Sequence, residues 1–315
     1  MNLDRGKILE KIGYAVIVSF LIFIFLASIK FKEISDSFLV FRSLLNPISI
    51  FIGFSCFFGI HVRDFFRDLI KGIKEIKVKD LILFLKYVFI YQGTIILTTN
   101  LDALQEMGNG STSFIDLYVS ITMILFVLFE EYIFRYLVQR KLMNLTSDYG
   151  ILFMAIVFGL FHYGKYKSGF LFGIAVGIIY VIRENIAYTV IIHYFLNSTV
   201  SLRIAVFFQN LFTANNIELA EINKTTGFIS LLLGVILIIG QFLLNKDFVA
   251  TFSQRERKIL KKIVQEIKYL PELIKTFPLN IGLLFRFFIF LQKYIWNFNL
   301  FSIKSYRFVR KFPMG

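Results

Sequence analysis

The chain carries little charge for its length. Only 18% of its 315 residues are Asp, Glu, Lys or Arg, against about a quarter in a soluble globular domain. Cysteine is nearly absent. Cys56 alone excludes an internal disulfide and a cysteine-based metal cluster, and in its apolar surroundings it reads as a small packing residue. No long run alternates apolar with polar residues, which excludes a membrane-spanning strand barrel. No internal repeat is visible, which weighs against a transporter built from paired halves. The first apolar run ends at Lys30 without a small-residue cleavage site, so it reads as a retained span rather than a removed signal peptide.

What is present is apolar and aromatic. Hydrophobic residues make up 57% of the chain, Phe alone numbers 40, and the mean hydropathy is +0.70. So much Phe suits a lipid-facing surface, and long uncharged runs in a non-alternating pattern suit helices. The expected fold is an all-α polytopic membrane protein of about eight spans. They are drawn near 12–29, 44–60, 81–99, 114–137, 151–163, 169–182, 186–208 and 226–245. Pro47 falls near the start of the second, and Lys86 in the third is expected to snorkel to the interface.

Basic residues before the first span (Arg5, Lys7, Lys11), after the second (Arg63 to Lys79) and after the fourth (Arg140, Lys141) place both termini in the cytoplasm. Lys30, Lys32 and Arg42 in the first loop break that alternation. Three regions are expected: amino-terminal spans over 1–112, a core over 113–245 and a basic tail over 246–315. The tail holds 14 Lys/Arg against 4 Asp/Glu, which is most of the net charge of +14. In so apolar a protein that excess points to anionic membrane lipid and away from nucleic acid. Ser253 and Glu256 form a capping-box pair. Ile259, Ile263, Ile267 and Leu270 then recur on one face, as in an interfacial amphipathic helix. A second apolar stretch, 281–301, is expected to lie along the surface too.

A few polar residues interrupt this pattern. Glu130, Glu131 and Arg135 follow the uncharged run 117–129. A charged side chain near the bilayer centre costs roughly 2.5–3.5 kcal/mol, so three within six residues need a reason. Glu131 and Arg135 are spaced i, i+4 on one helix face, while Glu130 points about 100° away. This is either a structural ion pair or one carboxylate held ionised beside a second that is tuned for proton transfer. Two of the three histidines lie in apolar spans: His162 ends the fifth, and His193 shares a face of the seventh with Asn197. At 1.5 Å per residue, Glu130 lies about 15 Å from Arg140, His162 about 17 Å from Ile151 and His193 about 10 Å from Ile186. These depths allow one common cavity.

Glu130-Glu131-x-x-x-Arg135, Phe158-x-x-x-His162 and His193-x-x-x-Asn197, in this order on successive spans, resemble the CPBP family over about 114–200. That family includes CAAX prenyl endopeptidases and bacterial Abi proteins, some linked to bacteriocin immunity. The resemblance implies an intramembrane endopeptidase of the glutamate type, acting on a membrane-associated or hydrophobic peptide. By that analogy Glu130 and His162 activate water, His193 and Asn197 donate to the oxyanion, and Glu131 with Arg135 orients and charge-balances the site. No cofactor is expected. The alternative is a divalent metal such as zinc, for which Glu130, His162 and His193 would form a three-ligand set. The alternative function is a non-catalytic membrane regulator or immunity protein, and the Ile-, Lys-, Asn- and Phe-rich composition suits a bacterial or archaeal cell membrane.

Overall fold

A computed structural model describes residues 3–28, 37–98, 114–146, 150–162, 166–197, 219–243 and 246–276. All regular structure among the described residues is helical. In chain order the elements are α1 (Leu3–Ser28), α2 (Ser37–Phe58), α3 (Val62–Lys74), α4 (Val78–Thr98) and α5 (Phe114–Glu131). A π-helical segment, Tyr132–Gln139, continues α5 into α6 (Arg140–Thr146). After these come α7 (Ile151–Phe161), α8 (Tyr166–Arg183), α9 (Ile186–Phe195), α10 (Leu219–Leu243) and α11 (Lys246–Thr276).

Three helix pairs run side by side: α1 with α2, α4 with α10, and α7 with α8. One apolar core joins them, from Ile12 on α1 through the π segment to Ile179 on α8 and Ile259 on α11. Large apolar residues such as Phe25 on α1 and Phe228, Leu232 and Ile236 on α10 are exposed and face outward. On a membrane protein such positions meet lipid.

The all-helical expectation holds, and the count of eight spans is not reproduced among the described residues. Gly6–Leu26 and Val78–Thr98 are long and apolar enough to cross a bilayer. A third appears only if Pro47–Phe58 and Val62–Lys74, bent by 105°, are taken as one broken span. The bend falls at Gly59, whose φ of +83° is open to glycine and avoided by other residues. Pro47 lies inside α2 rather than near its start.

Several of the drawn spans are short among the described residues. α7 has 11 residues, so it is about 16 Å long, half the hydrocarbon thickness. Ile151 to Ala155 of α7 are all buried by neighbouring helices. α7 is a core helix, apolar because protein covers most of it. Residues 198–208 of the seventh span, Leu270 as a side chain and the stretch 281–301 lie outside the described residues.

The first part of the basic tail is built into this fold. Ser253 and Glu256 lie well inside α11, which starts at Lys246, so they form no capping box. Glu256 instead pairs with Lys86 of α4, which also donates to Oε1 of Gln241 on α10. Lys86 is therefore buried in an ion pair and does not snorkel. Phe252 and Ile259 enter the core, while Ile267, expected on the same face as Ile259, is exposed. Glu266 is buried and accepts from the backbone N–H groups of Ile151 (3.2 Å) and Leu152 (2.8 Å). Those are orphan donors at the start of α7, whose N-cap, Gly150, supplies no side-chain bond. Replacing Glu266 with Ala is expected to cost about 1–2 kcal/mol, as loss of a helix cap does, and to lower the thermal midpoint of the purified protein. Lys268→Ala on the exposed side is the control and should leave that midpoint unchanged.

Candidate active site in the apolar interior

The side chains singled out from the sequence come together around Glu130. His193 Nε2 lies 3.4 Å from one of its carboxylate oxygens and His162 Nε2 lies 3.9 Å from the other. His193 Nδ1 is 2.8 Å from Glu131 Oε1, so this imidazole bridges the adjacent carboxylates. Arg135 Nε stands 3.8 Å from Glu131 Oε2. Glu130 and Glu131 end α5, His162 caps the C-terminal end of α7, and His193 lies in the last turn of α9. Asn197 follows His193 by four residues, half-buried in a short π turn.

Exposure is graded across the group. Side-chain accessibility is 0% for Glu131 and Arg135, 2% for His193, 18% for Glu130 and 31% for His162. The Glu131–Arg135–His193 side is sealed, and the gap between Glu130 and His162 is where an incoming molecule first meets polar groups.

The π segment sets the sealed side. All eight of its residues are buried. Arg135 Nη2 donates to the carbonyl of Gly173 and Gln139 Nε2 to that of Gly177, each at 3.2 Å, forming two rungs from the π segment to α8. π-Helical insertions often mark functional sites because they re-aim side chains that a regular helix would place elsewhere. Arg135 Nε, Arg135 Nη1 and Glu131 Oε2 find no hydrogen-bond partner among the described residues. The guanidinium lies 5.5 Å from the ring centroid of Phe158, which adds a cation–π contact.

Aromatic rings and close helix contact hold the imidazoles. Phe158 stacks on His162 with centroids 4.3 Å apart, and Phe172 lies 4.4 Å from the His193 ring. His162 Nδ1 is 2.8 Å from the carbonyl of Phe158. This bond makes Nδ1 the donor and leaves Nε2 turned to Glu130. α8 approaches α7 closely: a Cβ added at Gly173 would stand 2.7 Å from Ala155 Cα, and one at Gly169 would stand 2.9 Å from His162 Cβ. Thr189, fully buried one turn before His193, donates its hydroxyl to the carbonyl of Ile186 at 2.8 Å.

Sequence reasoning named the six polar residues and missed Gln139, Gly169, Gly173, Phe172 and Thr189. Gly169, Gly173 and Gly177 recur every four residues, a small-residue spacing that marks close helix packing and was the available signal. Nothing in the sequence announced Thr189 or Phe172.

The candidate zinc set was tested by its donors. Among the described residues, no group of three His, Cys, Asp or Glu side chains is arranged to hold a metal ion. Glu130, His162 and His193 therefore do not form the three-ligand zinc set that their residue types suggested.

The tight contact at Gly169 gives a test of the geometry. Gly169→Ala is expected to push His162 away from Glu130, lowering peptide cleavage by about tenfold or more, since small misplacements of reacting groups are costly. Gly240→Ala, where an added Cβ meets nothing within 4 Å, should leave the rate unchanged in the same assay.

Residues 113–199 match the family model described as Rce1-like, type II CAAX prenyl endopeptidase Rce1-like. No curated protein and no solved structure matches the chain. The matched segment begins at the head of α5 and ends two residues past Asn197, so it contains all six polar residues. Through the segment that holds this site, the chain is similar to the CAAX-type intramembrane protease family, and that likeness together with its apolar helices supports an integral membrane protein.

Proposed function

We propose that the chain hydrolyses a peptide bond of a membrane-associated or hydrophobic peptide, using water activated by Glu130 and His162. The observation that carries this reading is the placement of Glu130 between two imidazoles from helices remote in sequence, with His162 and Glu130 on the accessible side. Glu130 and His162 take a proton from water as its oxygen attacks the scissile carbonyl. The oxyanion accepts hydrogen bonds from His193 and from the Asn197 amide. The C–N bond then breaks, and the proton passes to the departing amine. In this reading His193 acts doubly protonated, donating from Nδ1 to Glu131, which fixes the ring, and from Nε2 to the oxyanion, while Arg135 balances the buried charge.

The membrane setting supports the substrate class, since a buried acid is reached most readily by a peptide already in the bilayer. Basic residues at the amino end, along α3 and at Arg140 and Lys141 support a cytoplasmic placement of both termini. The composition supports a bacterial or archaeal membrane, where the substrate would carry no prenyl group.

In proteoliposomes, with cleavage of hydrophobic peptides read by mass spectrometry, Glu130→Gln is expected to lower the rate by about 10²–10⁴-fold, as loss of a general base does. Asn197→Ala should lower kcat by about 10²–10³-fold with little change in KM, as loss of an oxyanion donor does. Full activity in Glu130→Gln would end the catalytic reading. A chelator titration should leave the wild-type rate unchanged, and loss of activity that zinc restores would revive the metal alternative.

A further inference from the structure

A hollow with a partly basic lining lies where the π segment leaves the core. It has a volume of about 330 Å³ and is walled by the end of α2, the start of α3 and the junction of the π segment with α6. Its polar lining includes His61, Arg140, Lys141 and Asn144. Among the described residues that line it there is no carboxylate. We propose that this hollow binds a phosphate ester, the head group of an anionic glycerophospholipid.

The charges are arranged for such an anion. Arg140 stacks 4.8 Å from the Tyr136 ring and gives Nη1 to Asp68 at 2.9 Å, which fixes the guanidinium while leaving its other nitrogens for an anion. Lys141 Nζ sits 5.6 Å from the centroid of Phe58. Phe58 and Leu137 form the apolar part of the wall, the surface that a glycerol backbone and the first acyl carbons would meet.

The amphipathic pattern of α3 supplies the depth. Phe65, Leu69 and Gly72 bury one face. Phe66, Ile70 and Ile73 are exposed on a stripe about 100° round. Arg63, Arg67, Lys71 and Lys74 are exposed on the side away from the buried face. A helix with an uncovered apolar stripe beside a basic one lies at the boundary between acyl chains and head groups. His61, the residue before α3, is thereby set at the level where lipid phosphates are found. This hollow is separate from the Glu130 group, and the proposal does not depend on the peptidase reading.

Native mass spectrometry of the full chain in detergent micelles tests it, with dioleoyl phosphatidylglycerol, dioleoylglycerol and sn-glycerol 3-phosphate as probes. One phosphatidylglycerol is expected to be retained per chain, and Lys141→Gln should weaken it roughly tenfold by removing a charge-assisted contact. Lys141 takes part in no ion pair among the described residues, so this variant spares the fold. Asn144→Leu is a second variant expected to weaken binding. Lys258→Gln with Lys261→Gln, on the exposed side of α11, should change nothing. Glycerol 3-phosphate binding as tightly as the lipid would support the phosphate site and identify its ligand as a soluble ester. Equal retention of dioleoylglycerol, unchanged binding in both hollow variants, or equal loss in the α11 variant would overturn the proposal.

Discussion

The compensation of one buried carboxylate governs this structure. Glu131 has no exposed side-chain surface and lies beside the equally buried Arg135 and the nearly buried His193. Taking one partner from a buried charged pair costs about 3–5 kcal/mol, because the other charge is left uncompensated. The whole stability of a domain is about 5–15 kcal/mol, so the end of α5, the π segment and α9 are tied to one arrangement. Glu130 is the next residue along the backbone, and its position follows from that tie.

The surrounding elements serve the same arrangement. The glycines of α8 let it approach α7 and offer carbonyls to Arg135 and Gln139. α11 reaches the site only indirectly. Its Glu266 holds the start of the short helix that ends at His162, while Glu256 and Lys86 tie α11 to α4. A helix of 11 residues with both ends fixed is a firm mount for one imidazole. The Glu131–Arg135–His193 side of the site is buried, and the side facing His162 is the more exposed one.

Much of the candidate site was legible in the sequence because charge in an apolar run is expensive and so stands out. Glu130, Glu131, Arg135, His162 and His193 each broke a hydrophobic stretch, and the structure brings all five together. The number of spans was not legible. Hydropathy reports that a segment avoids water, and a core helix enclosed by protein avoids it as fully as a lipid-facing one, as α7 shows. The π segment was hidden for a related reason, since Tyr132–Gln139 has no composition that distinguishes it from an ordinary helix. Glu256 read as a helix cap because its distant partner Lys86 is invisible along the sequence, and nothing in the sequence pointed Glu266 at the start of α7.

The central claim is that Glu130 and His162 act as one proton-transfer unit on a shared water. A double-mutant cycle on peptide cleavage in proteoliposomes measures this directly, comparing Glu130→Gln, His162→Ala and the two combined. For residues that work as a unit, the second substitution should add almost nothing to the loss caused by the first. Losses that multiply, as they do for independent sites, would contradict the account.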